Sequence, residues 1–263
     1  MIDSPSRRTF LVGAGAAVVA AACSSTDDET AVPSSTTSTE PPATTAAPST
    51  TRSVDDGSLP ALTPAMFAAL PICAIPPSST AGPFPTIEQL DRQDVTEGYP
   101  GHPLRLGVRV VDESCAPLPG AEVEIWHTDA TGDYSSYQDG GSGKDEGDGS
   151  TFCRGFQTTD ADGITEFQTI YPGWYEGRAV HIHVRARVDG DLVLTSQLYF
   201  DEAYTEQVYL EAPYAEFGPP DMTWSSDGIA ENPAVDGSGI TLVAGPTSLG
   251  DGTLGLVNLG VPV

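Results

Sequence analysis

The sequence predicts a mainly all-β fold, an antiparallel β-sandwich with long loops and little helix. Three observations carry that expectation. Short apolar runs alternate with polar residues, turn residues punctuate them, and 28 Gly and 23 Pro in 263 residues disfavour long helices. Leu104 to Asp112 alternates as a strand and leads through the turn Cys115-Ala116-Pro117-Leu118-Pro119-Gly120 into a second strand, Ala121 to His127. A loop rich in Gly, Asp and Ser follows, from Asp129 to Ser150. Thr159-Asp160-Ala161-Asp162-Gly163 is a turn before the strand Ile164 to Ile170. Val180 to Val188 and Leu192 to Phe200 read as a hairpin about Asp189-Gly190-Asp191. The C-terminal stretch alternates Gly-rich turns with short apolar runs up to Val261, and one helix of a turn or two is expected near Ile87 to Arg92.

Residues 1–23 read as an export signal. Ser6-Arg7-Arg8-Thr9-Phe10-Leu11 is a twin-arginine pattern, the apolar run Leu11 to Ala22 is short for a bilayer span, and small residues lead into Cys23. Cys23 stands where a lipid-modified mature N-terminus is expected, and simple cleavage nearby is the alternative. Either outcome places the protein outside the cytoplasm, as a cell-surface or periplasmic lipoprotein or as a secreted protein. Residues 24–60 are rich in Thr, Ser and Pro, too poor in large apolar side chains to repay ordering, and read as a disordered tether. Residues 61–263 form the folded domain.

The charge balance excludes several function classes. Eleven Lys+Arg against 37 Asp+Glu give a formal charge of -26, and Lys144 is the only lysine. Such a surface repels phosphate backbones and anionic headgroups, so no nucleic-acid partner is expected, and membrane contact only through a lipid on Cys23. Cys73, Cys115 and Cys153 allow one disulfide and leave one thiol over, with all three pairings open. No C-x-x-C occurs, so cysteine spacing matches no zinc pattern.

The chemistry concentrates in Arg178-Ala179-Val180-His181-Ile182-His183-Val184. Side chains two apart on a strand share a face, with Cα atoms about 6.6–7 Å apart. His181 and His183 can therefore converge on one ion while Val180, Ile182 and Val184 face a core. An exposed pair on an edge strand is the bland alternative. No carboxylate stands at facial-triad spacing, but Tyr134, Tyr171 and Tyr175 lie just upstream. A phenol with a pKa of about 10 stays ionised at neutral pH only beside a strongly Lewis-acidic, typically trivalent, ion. Two phenolates and two imidazoles around Fe(III) leave one positive charge, which one hydroxide neutralises.

These pieces, in order, resemble the intradiol ring-cleavage dioxygenases, in their exported branch. The resemblance rests on Asp91-Arg92-Gln93-Asp94-Val95-Thr96-Glu97-Gly98, Ile125-Trp126-His127-Thr128-Asp129-Ala130 with Gly132-Asp133-Tyr134-Ser135, and Thr158-Thr159-Asp160-Ala161-Asp162-Gly163. It continues through Thr169-Ile170-Tyr171-Pro172-Gly173-Trp174-Tyr175, the Arg178, His181 and His183 core, and Thr195-Ser196-Gln197. It covers about residues 73 to 263 and implies a transthyretin-like (prealbumin-like) sandwich. It also implies a non-haem Fe(III) site held by Tyr134, Tyr175, His181 and His183, with Arg178 stabilising charge on the substrate and Gln197 lining the site. The implied reaction opens a catechol-type ring between its hydroxylated carbons with O2, giving a cis,cis-muconate-type diacid. Tyr175 is then the tyrosinate that leaves the metal and helps take up protons. Trp126 and His127 read as packing residues. Thr128 stands where exported relatives often carry Cys, and Cys153 where they carry an aliphatic residue, which suggests a rearranged disulfide.

Two other readings compete. A non-catalytic transthyretin-like binding or adhesion module on a tether would use the tyrosines as a stacking platform. A copper or zinc protein would use His181 and His183 alone. Only the ring-cleavage reading gives all four candidate ligands and Arg178 a joint purpose.

Overall fold

The structure is a computed structural model that describes residues 60–70, 75–76, 78–82, 90–136, 149–230, 241–242, 245–249 and 252–263. All of these belong to the unit Pro48–Val263. The export signal, the tether up to residue 59, Cys23 and Cys73 lie outside the described residues.

Strand-forming runs assemble into two sheets. β1 (Pro103–Val111), β4 (Ile164–Ile170), β8 (Gly245–Leu249) and β9 (Gly252–Gly260) form one, in the order β4-β1-β9-β8. β2 (Glu122–Trp126), β3 (Arg154–Thr158), β5 (His181–Val188), β6 (Asp191–Phe200) and β7 (Thr241–Leu242) form the other, in the order β3-β2-β5-β6-β7. The expected sandwich is therefore present, and most of its pairs are antiparallel. Two pairs, β1 with β9 and β6 with β7, run parallel. They join strands far apart in sequence, whose relative direction no local turn dictates.

Alternation decides what each strand buries. In β1, Leu104, Leu106, Val108 and Val110 are fully buried and join Val123, Ile125, Ile182, Val184 and Leu198 of the opposite sheet in one core. The other face of β1 carries Arg105, Gly107 and Arg109. A Cβ on Gly107 would lie 2.5 Å from Leu62 and 3.2 Å from Phe67, so glycine there admits the short helix α1 (Pro64–Phe67) against the sheet. Arg105 donates to the carbonyl of Pro60 at 2.9 Å and pairs with Glu166 at 2.5 Å, anchoring the start of the described chain.

The β5–β6 hairpin turns through Asp189 and Gly190, with φ of 52° and 86°. Two consecutive positive φ values suit the right-handed twist of the flanking strands, and Asp-Gly is a pair that tolerates them. The expected helix near Ile87 to Arg92 is not seen where it can be followed: residues 87–89 lie outside the described set, and Asp91 bridges to Phe156 as extended chain. Helix forms instead at α2 (Glu202–Val208), capped by Asp201, whose side chain accepts from the Tyr204 amide. That start follows β6 without a break, so the strand pattern masks it in the sequence.

Cys115 is disulfide-bonded, and Cys153 is free and buried. Of the three pairings left open, those that use Cys153 are thereby excluded. Its backbone is pinned between Val95 and His127 (2.7 and 3.1 Å), and its side chain fills core in place of an aliphatic residue.

His127 is fully buried, with Nδ1 against the Thr128 carbonyl and Nε2 against the Thr169 hydroxyl, each at 2.7 Å. It is a packing residue, as expected. Burial, helped by the Arg154 charge, lowers its pKa from 6.5 to about 4. The unfolded state then binds the extra proton first as pH falls, so this residue's contribution is complete above pH 6.5 and declines down to about 4. Denaturant unfolding should show the stability gap between wild type and His127→Gln narrowing through that window, by roughly 1.4 kcal/mol per pH unit at its steepest. A gap independent of pH would mean that folded His127 titrates normally.

Candidate metal centre

The site is built on the face of β5 turned away from the sandwich core. Ile182 and Val184 enter the core, while His181 and His183, 3% and 0% exposed, project to the other side. Register places His183 between Trp126 of β2 and Gln197 of β6, and His181 beside Tyr199. Trp126 stacks on His183 with centroids 4.8 Å apart and planes 3° from parallel, and the Arg185 guanidinium lies over the Trp126 ring at 5.0 Å. This fixes the ring of His183. His181 is fixed differently: its Nδ1 donates to the Ala179 carbonyl at 2.6 Å, which leaves Nε2 as a bare lone pair.

The two tyrosines arrive on loops. Asp129 closes the first: its carboxylate accepts from the Thr131 and Asp133 amides at 2.8 and 3.1 Å, and Thr128 bridges to Tyr134. The second, Tyr171–Tyr175, is pegged from behind, where Tyr214 and Tyr209 donate to the carbonyls of Tyr171 and Pro172 at 2.7 and 2.9 Å. The loops then touch backbone to backbone. The Gly173 amide donates to the Asp129 carbonyl at 2.8 Å, and Thr128 Oγ1 donates to the Gly173 carbonyl at 2.7 Å. A Cβ on Gly132, at φ 91°, would lie 2.2 Å from the Trp174 carbonyl oxygen, and one on Gly173 2.5 Å from that of Asp129. The glycines of both motifs are required by this contact.

Four donor atoms converge as a result. Tyr134 Oη lies 3.0 Å from His183 Nε2 and 3.4 Å from His181 Nε2. Tyr175 Oη lies 3.3 Å from His181 Nε2, and the two Nε2 atoms are 3.2 Å apart. Tyr134 Oη and the two Nε2 atoms, with such separations, have a common point about 2 Å from each, an ordinary metal-to-nitrogen or metal-to-oxygen bond length, and Tyr175 Oη lies beside it against His181. Among the described residues, no three His, Cys, Asp or Glu side chains gather to hold a metal, so an ion here depends on the phenols.

Electrostatics suit that donor set. Burial, then the Arg178 charge, lowers the His181 pKa to about 3, and burial, then the neighbouring His181, holds His183 well below the usual imidazole range. Both imidazoles are neutral, as ligands must be. Burial raises both phenols, Tyr134 most, against the opposing pull of Arg178. Only a multiply charged cation at the shared point would ionise them near neutrality.

Arg178 and Gln197 border the four donors. Arg178 Nη1 donates to Tyr175 Oη at 3.3 Å, and Nη2 donates to Gln197 Oε1 at 2.5 Å. Six of the residues singled out in the sequence therefore meet in one place, whereas the seventh, Tyr171, sits in the core with its hydroxyl on Thr205. Sequence reasoning missed the wall formed by residues 78–82. Gln197 donates to the Thr80 carbonyl at 3.1 Å, Ala81 packs against the Trp126 and Tyr134 cluster, and a Cβ on Gly82 would lie 3.1 Å from the His183 ring. It also missed Tyr199, Arg154 and Asp227. A separate cavity beside α2, lined by Phe200, Met222 and Trp224, holds none of the four donors.

A family model described as Dioxygenase (Dioxygenase_C) matches residues 81–208. An intradiol ring-cleavage dioxygenase structure from Tetranychus urticae is 31% identical with a TM-score of 0.67, covering 72% of this chain and 95% of that one. The dioxygenase domain of a dioxygenase carbohydrate-binding protein fusion from the cellulolytic bacterium Streptomyces sp. SirexAA-E is 28% identical with a TM-score of 0.53, covering 72% and 99%. Catechol 1,2-dioxygenase of Acinetobacter baylyi is 29% identical over 153 residues, 48% of each protein. Chlorocatechol 1,2-dioxygenase of Rhodococcus opacus is 30% identical over 121 residues, 39% of this chain and 45% of that protein. The chain thus spans about half the length of the curated relatives it matches.

The loop contact gives a direct test. Gly173→Ala should push the loops apart, lowering affinity for added ferric or ferrous iron at least about 10-fold, measured by metal titration of the purified protein. Unchanged affinity would separate the contact from the donor geometry.

Proposed function

The chain belongs to the intradiol ring-cleavage dioxygenase family, and from that premise we propose that it is an exported non-haem Fe(III) enzyme that opens a catechol-type ring. The observation that carries this reading is the meeting of Tyr134, Tyr175, His181 and His183 at one point, with Arg178 beside it. The relatives named catechol and chlorocatechol 1,2-dioxygenase support a catechol-type diol and O2 as substrates. The bond opened lies between the two hydroxylated carbons, and the product is a cis,cis-muconate-type diacid.

Tyr134, Tyr175, His181 and His183 would hold the ion. When bound, ferric iron would supply a Lewis acid and a template for the diol. The protein's part follows from burial and hydrogen bonding. Tyr134 is 2% exposed and enclosed, so it stays in place. Tyr175 is only partly buried, and its oxygen faces the Arg178 guanidinium. It is therefore the phenol free to yield its position and take up a substrate proton at Oη. Arg178 presents fixed positive charge where the substrate oxygens become anionic, and Gln197 and Tyr199 hold its Nη2 at 2.5 and 3.2 Å. Ala81 and Gly82 border the site beside Tyr134 and His183. Export rests on the twin-arginine pattern and Cys23, which lie outside the described residues.

Colour is the cheapest test. The iron-loaded protein should be burgundy through tyrosinate-to-iron charge transfer, and a colourless, fully loaded sample would remove phenolate ligation. Tyr175→Phe should shift that absorption and cut catechol-dependent O2 uptake at an oxygen electrode by at least about 100-fold. Uptake at the wild-type rate would take Tyr175 out of the reaction.

A further inference from the structure

Arg178 is useful to the reaction only if its guanidinium keeps one edge toward Tyr175. Gln197 and Tyr199 hold a single nitrogen, Nη2, and a planar fork held at one corner can still swing about its stem. The opposite corner, Nε, donates to Asp227 Oδ2 at 2.9 Å. Asp227 is 1% exposed, and four donors fill its oxygens. Oδ2 also accepts from the Ala179 amide at 3.0 Å, and Oδ1 accepts from the Ile229 and Ala230 amides at 2.8 and 3.4 Å. The carboxylate is thus fastened to the backbone on both sides and cannot follow the arginine if it moves. It lies beyond the residues that the family model matches.

We propose that Asp227 is the positioning residue of Arg178, clamping Nε so that the Nη edge stays turned to Tyr175 and the bound diol. This rests on the reading of the site as a ring-cleaving centre. The clamp also neutralises a buried cation that would otherwise stand alone once the site closes around a substrate.

The test combines one observation on the unmodified protein with a double-mutant cycle. In the wild-type protein loaded with diamagnetic Ga(III) in place of iron, the Arg178 Nε–H resonance should be resolved and exchange with solvent far more slowly than those of exposed arginines; exchange at the exposed rate overturns the clamp, whatever any variant does. Asp227→Asn turns an amide N–H2 toward the Arg178 and Ala179 donors if it keeps its oxygen on Ile229. It should lower kcat/KM for ring opening about 10- to 100-fold in the wild-type background and less than about 2-fold in the Arg178→Gln background. Equal losses in both backgrounds would reduce Asp227 to a cap on residues 229–230 and overturn the proposal. A wild type with the slow Nε–H signal but no ring opening would instead sink the enzymatic reading and leave the clamp standing.

Discussion

Two loops in backbone contact set the distance on which this site depends. Tyr134 and Tyr175 come from segments about forty residues apart, and nothing in either loop alone would bring their oxygens to the same histidine. The hydrogen bonds from Gly173 to Asp129 and from Thr128 to Gly173 do so, across a gap with no space for a Cβ. The aromatic cluster behind Tyr171 holds one loop, and the Asp129 turn holds the other. The donor geometry is thus a consequence of packing between the loops that follow β2 and β4 as much as of the donors themselves.

The strand contributes the complementary constraint. Because its side chains alternate, β5 places Ile182 and Val184 in the core only if His181 and His183 face the site. A slip of one residue would bury both imidazoles in the apolar core and expose the aliphatic pair, so sandwich stability and site geometry select the same register. Burial then sets the charge state: neutral imidazoles, protonated phenols, and Arg178, whose charge is matched by Asp227. The formal charge of -26 belongs to the rest of the molecule. Its effect beyond about 8 Å is screened in ordinary salt, so the interior arginines and phenols dominate the local field.

Much of this was legible in the sequence. The H-x-H spacing maps onto one strand face because the period of two is a local rule, and the Asp-Gly hairpin follows from another. The glycines flanking Tyr134 and preceding Trp174-Tyr175 sit in the quoted motifs, although why they must be glycine emerges only when the loops meet. Strands β3 and β8 went unread. β3, Arg-Gly-Phe-Gln-Thr, has too few apolar positions to alternate visibly; it is held by pairing with β2 and by its edge position. The parallel β1–β9 pairing was equally hidden, since its partners lie at opposite ends of the domain.

The residues that escaped share a physical trait: their meaning lies in a partner that no period connects to them. Asp227 stands 49 residues from Arg178, in a segment whose Ser, Asp and Gly content reads as an ordinary loop. Thr80 stands 117 residues from Gln197 and contributes only a carbonyl oxygen, which every residue type possesses. Gly82 matters for the side chain it lacks beside His183. The donors at the centre have distinctive chemistry and can be named from their spacing. The groups that hold them act through charge balance, backbone atoms and empty space, and these acquire identity only when the chain has folded around the site.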